Sequence, residues 1–149
     1  MKNLVMLFIF ALVATTCNKD KDKEQQFTVP TTSGTVIEGN NIIRTQVVQE
    51  GKQAAVITYY FDDNPLKYNH QEWKIIFSTV TGATLAGTTL QAYYMGEPTI
   101  KPSYSGNVVT INYPLGKGIG DSALEKANSL TEAQAIVTAL EIMNIFNIF

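Results

Sequence analysis

Cysteine and histidine are almost absent: the 149 residues hold one of each, Cys17 and His70. A lone cysteine excludes an intramolecular disulfide framework and any Cys-rich zinc site. A lone histidine means that any His-dependent triad or dyad must use His70. Charge is sparse as well. The formal net charge is -2, and no basic stripe interleaves with aromatics, which argues against a nucleic-acid partner. The apolar run at residues 4–14 falls well short of the ~20 residues that span a bilayer as a helix.

What is present leans toward β structure. Hydrophobic residues make up 45% of the chain, enough for one core in a chain of single-domain length. Thr, Val, Ile and Tyr are plentiful, and these residues suit a pleated, half-buried surface. Residues 35–38, 42–49, 54–61, 72–80, 88–95 and 107–113 read as strands. Glu38-Gly39-Asn40-Asn41 reads as a turn, and Glu50-Gly51-Lys52 as the loop of a hairpin. Pro65, after Asp62-Asp63-Asn64, breaks the chain because it lacks a backbone donor. Within 72–80, Trp73, Ile75 and Phe77 fall on one face, and Glu72, Lys74 and Ser78 on the other. Val109, Ile111 and Tyr113 likewise share a face.

The period changes from Thr131, where Ala133, Ile136, Val137, Leu140 and Met143 follow helical spacing. Thr131 and Gln134 are spaced as a capping box. A shorter helical piece around residues 122–128 would take Asp121 as its cap. The chain therefore reads as mainly β, with α+β as the alternative: an antiparallel sheet or β-sandwich with a C-terminal helix packed on it. Phe146, Ile148 and Phe149 carry apolar character to the end, and docking of this tail into the core is expected.

The N-terminus carries an address. Met1-Lys2-Asn3 is a short positive start, the apolar run follows, and Ala14-Thr15-Thr16 precedes Cys17. Here the chain resembles bacterial lipoprotein precursors, in which small or apolar residues precede a cysteine that is lipidated on sulfur. Thr16 stands where Gly, Ala or Ser is usual, and Ala14 where Leu is usual, as in the looser lipoboxes of Bacteroidota. The resemblance implies a signal peptide at 1–16, a lipidated Cys17 (diacylglyceryl, with palmitate among its acyl chains) and a membrane partner. The alternative is an ordinary secretory signal, with Ala14 and Thr16 in the small-residue positions.

The segment 18–26 alternates Lys with Asp or Glu and has no apolar residue, so residues 17–26 read as a solvated tether. A charged stretch after the cysteine resembles the surface-export signal of Bacteroidota lipoproteins. The implied location is the cell envelope, at the outer membrane, with surface exposure as a further expectation. Residues 27–149 then form one globular domain, and no internal repeat or second boundary is visible.

Candidate chemistry is thin. Gly116-Lys117-Gly118-Ile119-Gly120 could approach an anion through bare amides, but its spacing fits neither a P-loop nor a dinucleotide fingerprint. A flexible strand-to-helix connection is the reading adopted. Asp62, Asp63 and Glu72 lie near His70 in sequence, so a small hydrolase built on these four is one hypothesis; a solvated loop is the plainer one. No catalytic set, metal site or cofactor is assigned. Tyr60, Tyr68, Trp73, Tyr93, Tyr94 and Tyr104 are the binding candidates, because an exposed ring stacks on sugars or anchors a protein partner. The favoured function is a non-catalytic binding or interaction module for a glycan, a peptide or an envelope protein, with a structural subunit of an envelope assembly as a third reading.

Overall fold

The computed structural model describes residues 25–63 and 65–141. Cys17, most of the tether, and the apolar tail with Phe146, Ile148 and Phe149 lie outside them. Among the described residues, six strands form one antiparallel sheet: β1 (Gly34–Glu38), β2 (Asn41–Gln49), β3 (Gln53–Asp62), β4 (Lys67–Phe77), β5 (Ser103–Ser105) and β6 (Val108–Pro114). The spatial order is β1-β2-β3-β4-β6-β5. Among the described residues, three helices complete the fold: α1 (Val80–Tyr93), α2 (Asp121–Leu124) and α3 (Leu130–Ala139). The mainly β expectation with a C-terminal helix on the sheet holds, and the second layer is helical.

The tight hairpins follow from glycine. Gly39 at φ 59° and Gly51 at φ 65° occupy the left-handed region that hairpin turns need. Along β3, Ala55, Ile57, Tyr59 and Phe61 alternate into the core, paired in register with Ile75, Trp73, Gln71 and Tyr68 of β4. The helices cover this face, with α3 against β1 and β2, and α1 against β4, β5 and β6.

The opposite face is open except along one row. The chain leading into β1 is tied by Phe27 to Asn107, whose side chain accepts from the Phe27 N–H and donates to its carbonyl, each at 2.7 Å. It is tied again by Ser33 Oγ, which accepts from the Val47 N–H at 2.8 Å. These anchors stand at the two ends of the row Val108, Ile76, Ala54, Val47, of which the first three are buried.

Residues 88–95 are not a strand. They belong largely to α1, which presents Ala83, Ala86, Gly87 and Leu90 to the sheet at helical spacing. Its β-branched content misleads, because Thr84, Thr88 and Thr89 turn their hydroxyls back to carbonyls one turn earlier, at 2.8–3.0 Å. Thr79 caps the start by accepting from the Gly82 N–H. Small residues let the helix approach closely: a Cβ at Gly87 would overlap the Tyr104 ring.

The C-terminal helix also starts differently. Ser129, not Thr131, is the cap and accepts from the Glu132 N–H at 3.1 Å, while the Glu132 carboxylate accepts from the Asn128 N–H at 2.9 Å. At the other end, the Arg44 guanidinium donates to the carbonyls of Val137 and Leu140, where a helix leaves carbonyls unpaired and favours a cation.

Candidate functional site

The glycine-rich loop is a pinned connection. Asp121 does not cap a helix through its side chain; its carboxylate turns inward and is buried. One oxygen accepts from the Gly116 and Gly118 amides at 2.7 and 2.8 Å. The other accepts from Tyr68 Oη at 2.6 Å and Gln71 Nε2 at 2.9 Å. The loop therefore does cradle an anion through bare amides, and that anion is the chain's own carboxylate. Gly118 is required here, since a Cβ would collide with the Gln71 amide and lie 2.7 Å from Asp121.

The network runs on into the core. Gln71 Nε2 shares its two hydrogens among Asp121, Tyr68 Oη and the Ile119 carbonyl, and Gln71 Oε1 accepts from Trp73 Nε1 at 2.7 Å. Indole is a donor only, so this contact fixes which way the Gln71 amide points. Burial, helped by the bond to Asp121, drives the Tyr68 phenol well above its ordinary pKa. Tyr59 is likewise raised by burial, but its hydroxyl has no hydrogen-bond partner among the described residues.

This node holds one wall of an open cleft of about 520 Å³ at the end of β3, β4 and β6. The volume falls within the roughly 300–1,000 Å³ of small-molecule sites. Tyr68, Tyr113, Pro114 and Leu115 supply its ring and aliphatic lining, and Asp62, Lys67, Asn69 and His70 its charged and polar lining. Thr99 and Asn112 add a hydroxyl and an amide.

A β-bulge positions the polar side. Tyr60 pairs with His70 and Phe61 with Tyr68, leaving Asn69 as the extra residue. Asn69 Nδ2 donates to Asp62 Oδ1 at 3.1 Å, and Asn69 Oδ1 meets His70 Nδ1 at 3.2 Å. A carboxylate oxygen accepts, so the Asn69 nitrogen faces Asp62 and its oxygen faces the ring. His70 Nδ1 must then donate, and Nε2 is left as an acceptor when the ring is neutral. Behind the imidazole lies Tyr60, stacked with centroids 4.4 Å apart and planes 9° apart.

The four groups of the hydrolase hypothesis do not converge. Asp62 and His70 share the cleft but are joined through an amide, which does not titrate and so cannot relay a proton between them. Glu72 pairs with Lys74 at 3.1 Å, and Asp63 is exposed in the turn after β3. No cluster of three or more His, Cys, Asp or Glu groups among the described residues could hold a metal ion.

The six aromatic candidates are likewise dispersed. Trp73 and Tyr68 are buried, 0% and 2% exposed, so they serve the core and the Asp121 node. Tyr104 packs over Gly87 of α1. Tyr94 is half-buried and shares a 2.8 Å hydrogen bond with Tyr113 Oη, and burial raises the pKa of both phenols. Tyr93 stands edge-on to Tyr94 and is exposed at the end of α1. Of the six, Tyr68 lines the cleft and Tyr60 reaches it through His70. Sequence reasoning missed Lys67, Asn69, Thr99 and Asn112; only Asn112, a polar position between Ile111 and Tyr113, left a trace in the strand alternation.

No helix among the described residues is long and apolar enough to cross a membrane. No family model, curated protein or solved structure matches the chain.

Proposed function

We propose that this chain is an envelope lipoprotein, anchored through lipid on Cys17, whose folded domain is a non-catalytic binding module with the cleft as its ligand site. The observation supporting a binding role is the Asp62–Asn69–His70 arrangement. It fixes an imidazole beside donors and acceptors, and it places an amide where an acid–base pair would need direct contact. Anchoring is supported by the run of small residues before Cys17 and by the charged sequence, free of apolar residues, that follows it. Both features suit a domain held at a membrane surface on a tether, where polymers and proteins of the envelope are the available partners.

The anchor is tested by the mass of the N-terminal peptide recovered from native membranes. A diacylglyceryl or triacyl adduct on Cys17 is expected. An unmodified Cys17, or a chain that starts elsewhere, overturns the lipoprotein reading.

A further inference from the structure

The balance of groups in the cleft selects among ligand classes, on the reading that the cleft is the ligand site. We infer that it takes a neutral saccharide, with hydroxyls met by Asp62, Thr99, Asn112 and His70 Nε2 and a ring face laid on the imidazole. Sugar hydroxyls donate and accept at once, and the cleft supplies both kinds of partner. Asp62 and Nε2 accept, Lys67 donates, and Thr99 and Asn112 do either.

Other classes fit less well. A phosphate or carboxylate ligand would meet one cation, Lys67, set beside the Asp62 carboxylate on the same wall. A peptide added as a strand finds the β4 edge taken, since His70 already pairs with Pro114 of β6, and has only the short stretch of β6 beyond Thr110 that β5 leaves unpaired; trialanine probes that rival. A wholly apolar ligand would strand the amide, hydroxyl and charged groups that line the opening.

Stacking requires a flat ring that stays in place. His70 is held twice, in its plane by the bond to Asn69 and from behind by Tyr60. Tyr60 does not itself line the cleft, while His70 does. The tyrosine thus acts as backing, and the imidazole presents the surface. A ring already fixed loses little freedom on binding, which suits a weak, repeated contact with a polymer.

The test is a heteronuclear NMR titration of the intact chain with cellotriose, maltotriose, chitotriose and xylotriose in turn, and separately with trialanine. At least one trisaccharide should shift the His70 ring and Asn112 side-chain amide resonances saturably. His70→Ala should weaken that binding on the order of tenfold. Asn112→Ala, at an exposed position where folding is little affected, should weaken it too. Shifts with trialanine alone would overturn the saccharide and leave the cleft as a ligand site. No shift with any probe would overturn both, and saccharide binding unchanged in both variants would move the site elsewhere.

Discussion

Asp121→Ala is expected to cost about 3–5 kcal/mol of folding stability, because several buried donors lose their acceptor at ~1–3 kcal/mol each. The carboxylate receives Gly116, Gly118, Tyr68 and Gln71, and water cannot readily replace it, since Asp121 and Gln71 are 4% and 0% exposed. Urea unfolding followed by circular dichroism reads the loss. Two tyrosines give the internal control. Tyr68→Phe removes one donor to a carboxylate and should cost about 1.5–3 kcal/mol. Tyr59→Phe makes the same chemical change at a buried hydroxyl that has no partner, so it should be neutral or stabilising. Equal losses at Tyr59 and Tyr68 would show that the node is not what holds the loop.

Trp73→Ala should be as damaging or worse. The indole is fully buried on a central strand, edge-on to Tyr113 at 5.8 Å. Truncating such a side chain leaves a cavity worth ~3–5 kcal/mol. It also strands Gln71 Oε1, which accepts from Trp73 Nε1. A combined loss of about 5 kcal/mol is comparable to the whole stability of many domains this size. Trp73→Phe separates the two contributions, since it keeps a ring and removes the donor; about 2 kcal/mol is expected. A loss below about 2 kcal/mol for the alanine variant would mean that the core closes without the indole.

Both variants act on the cleft as well as on stability. The loop pinned by Asp121 follows directly on Tyr113, Pro114 and Leu115, and Tyr68 lines the cleft while bonding the carboxylate. The polar interior and the surface site are therefore one construction, in which core hydrogen bonds set the position of the wall.

The strands were legible where alternation and turn chemistry agreed. Around Gly39 and Gly51 the period of two leads straight into residues that accept a positive φ; the expected turn at Gly39 closes a β1–β2 hairpin, and the hairpin expected at Gly51 forms. Helix α1 was not legible, because threonine and valine favour strands locally while Ala83, Ala86 and Gly87 matter only once a sheet lies beneath them. Tertiary packing outweighed propensity there.

The node and the cleft were hidden for a different reason. Tyr68 and Gln71 are three residues apart, so strict alternation puts them on opposite faces. The bulge at Asn69 shifts the phase and brings both to the core side, facing a carboxylate far along the chain. The same bulge sets Asn69 between Asp62 and His70. A one-residue irregularity leaves almost no mark in sequence, yet it fixes the chemistry of the site. His70 and Asp62 were visible as candidates; the amide that joins them, and that argues for binding over catalysis, was not.

The central claim is that Asn69 holds His70 in one orientation with Nε2 turned out as an acceptor. Long-range proton–nitrogen correlation of the imidazole, at a pH where the ring is neutral, tests this most directly. The structure predicts a proton on Nδ1 and a bare Nε2, and Asn69→Ala should release that preference. A wild-type ring protonated on Nε2, or one unaffected by the loss of Asn69, would contradict the account.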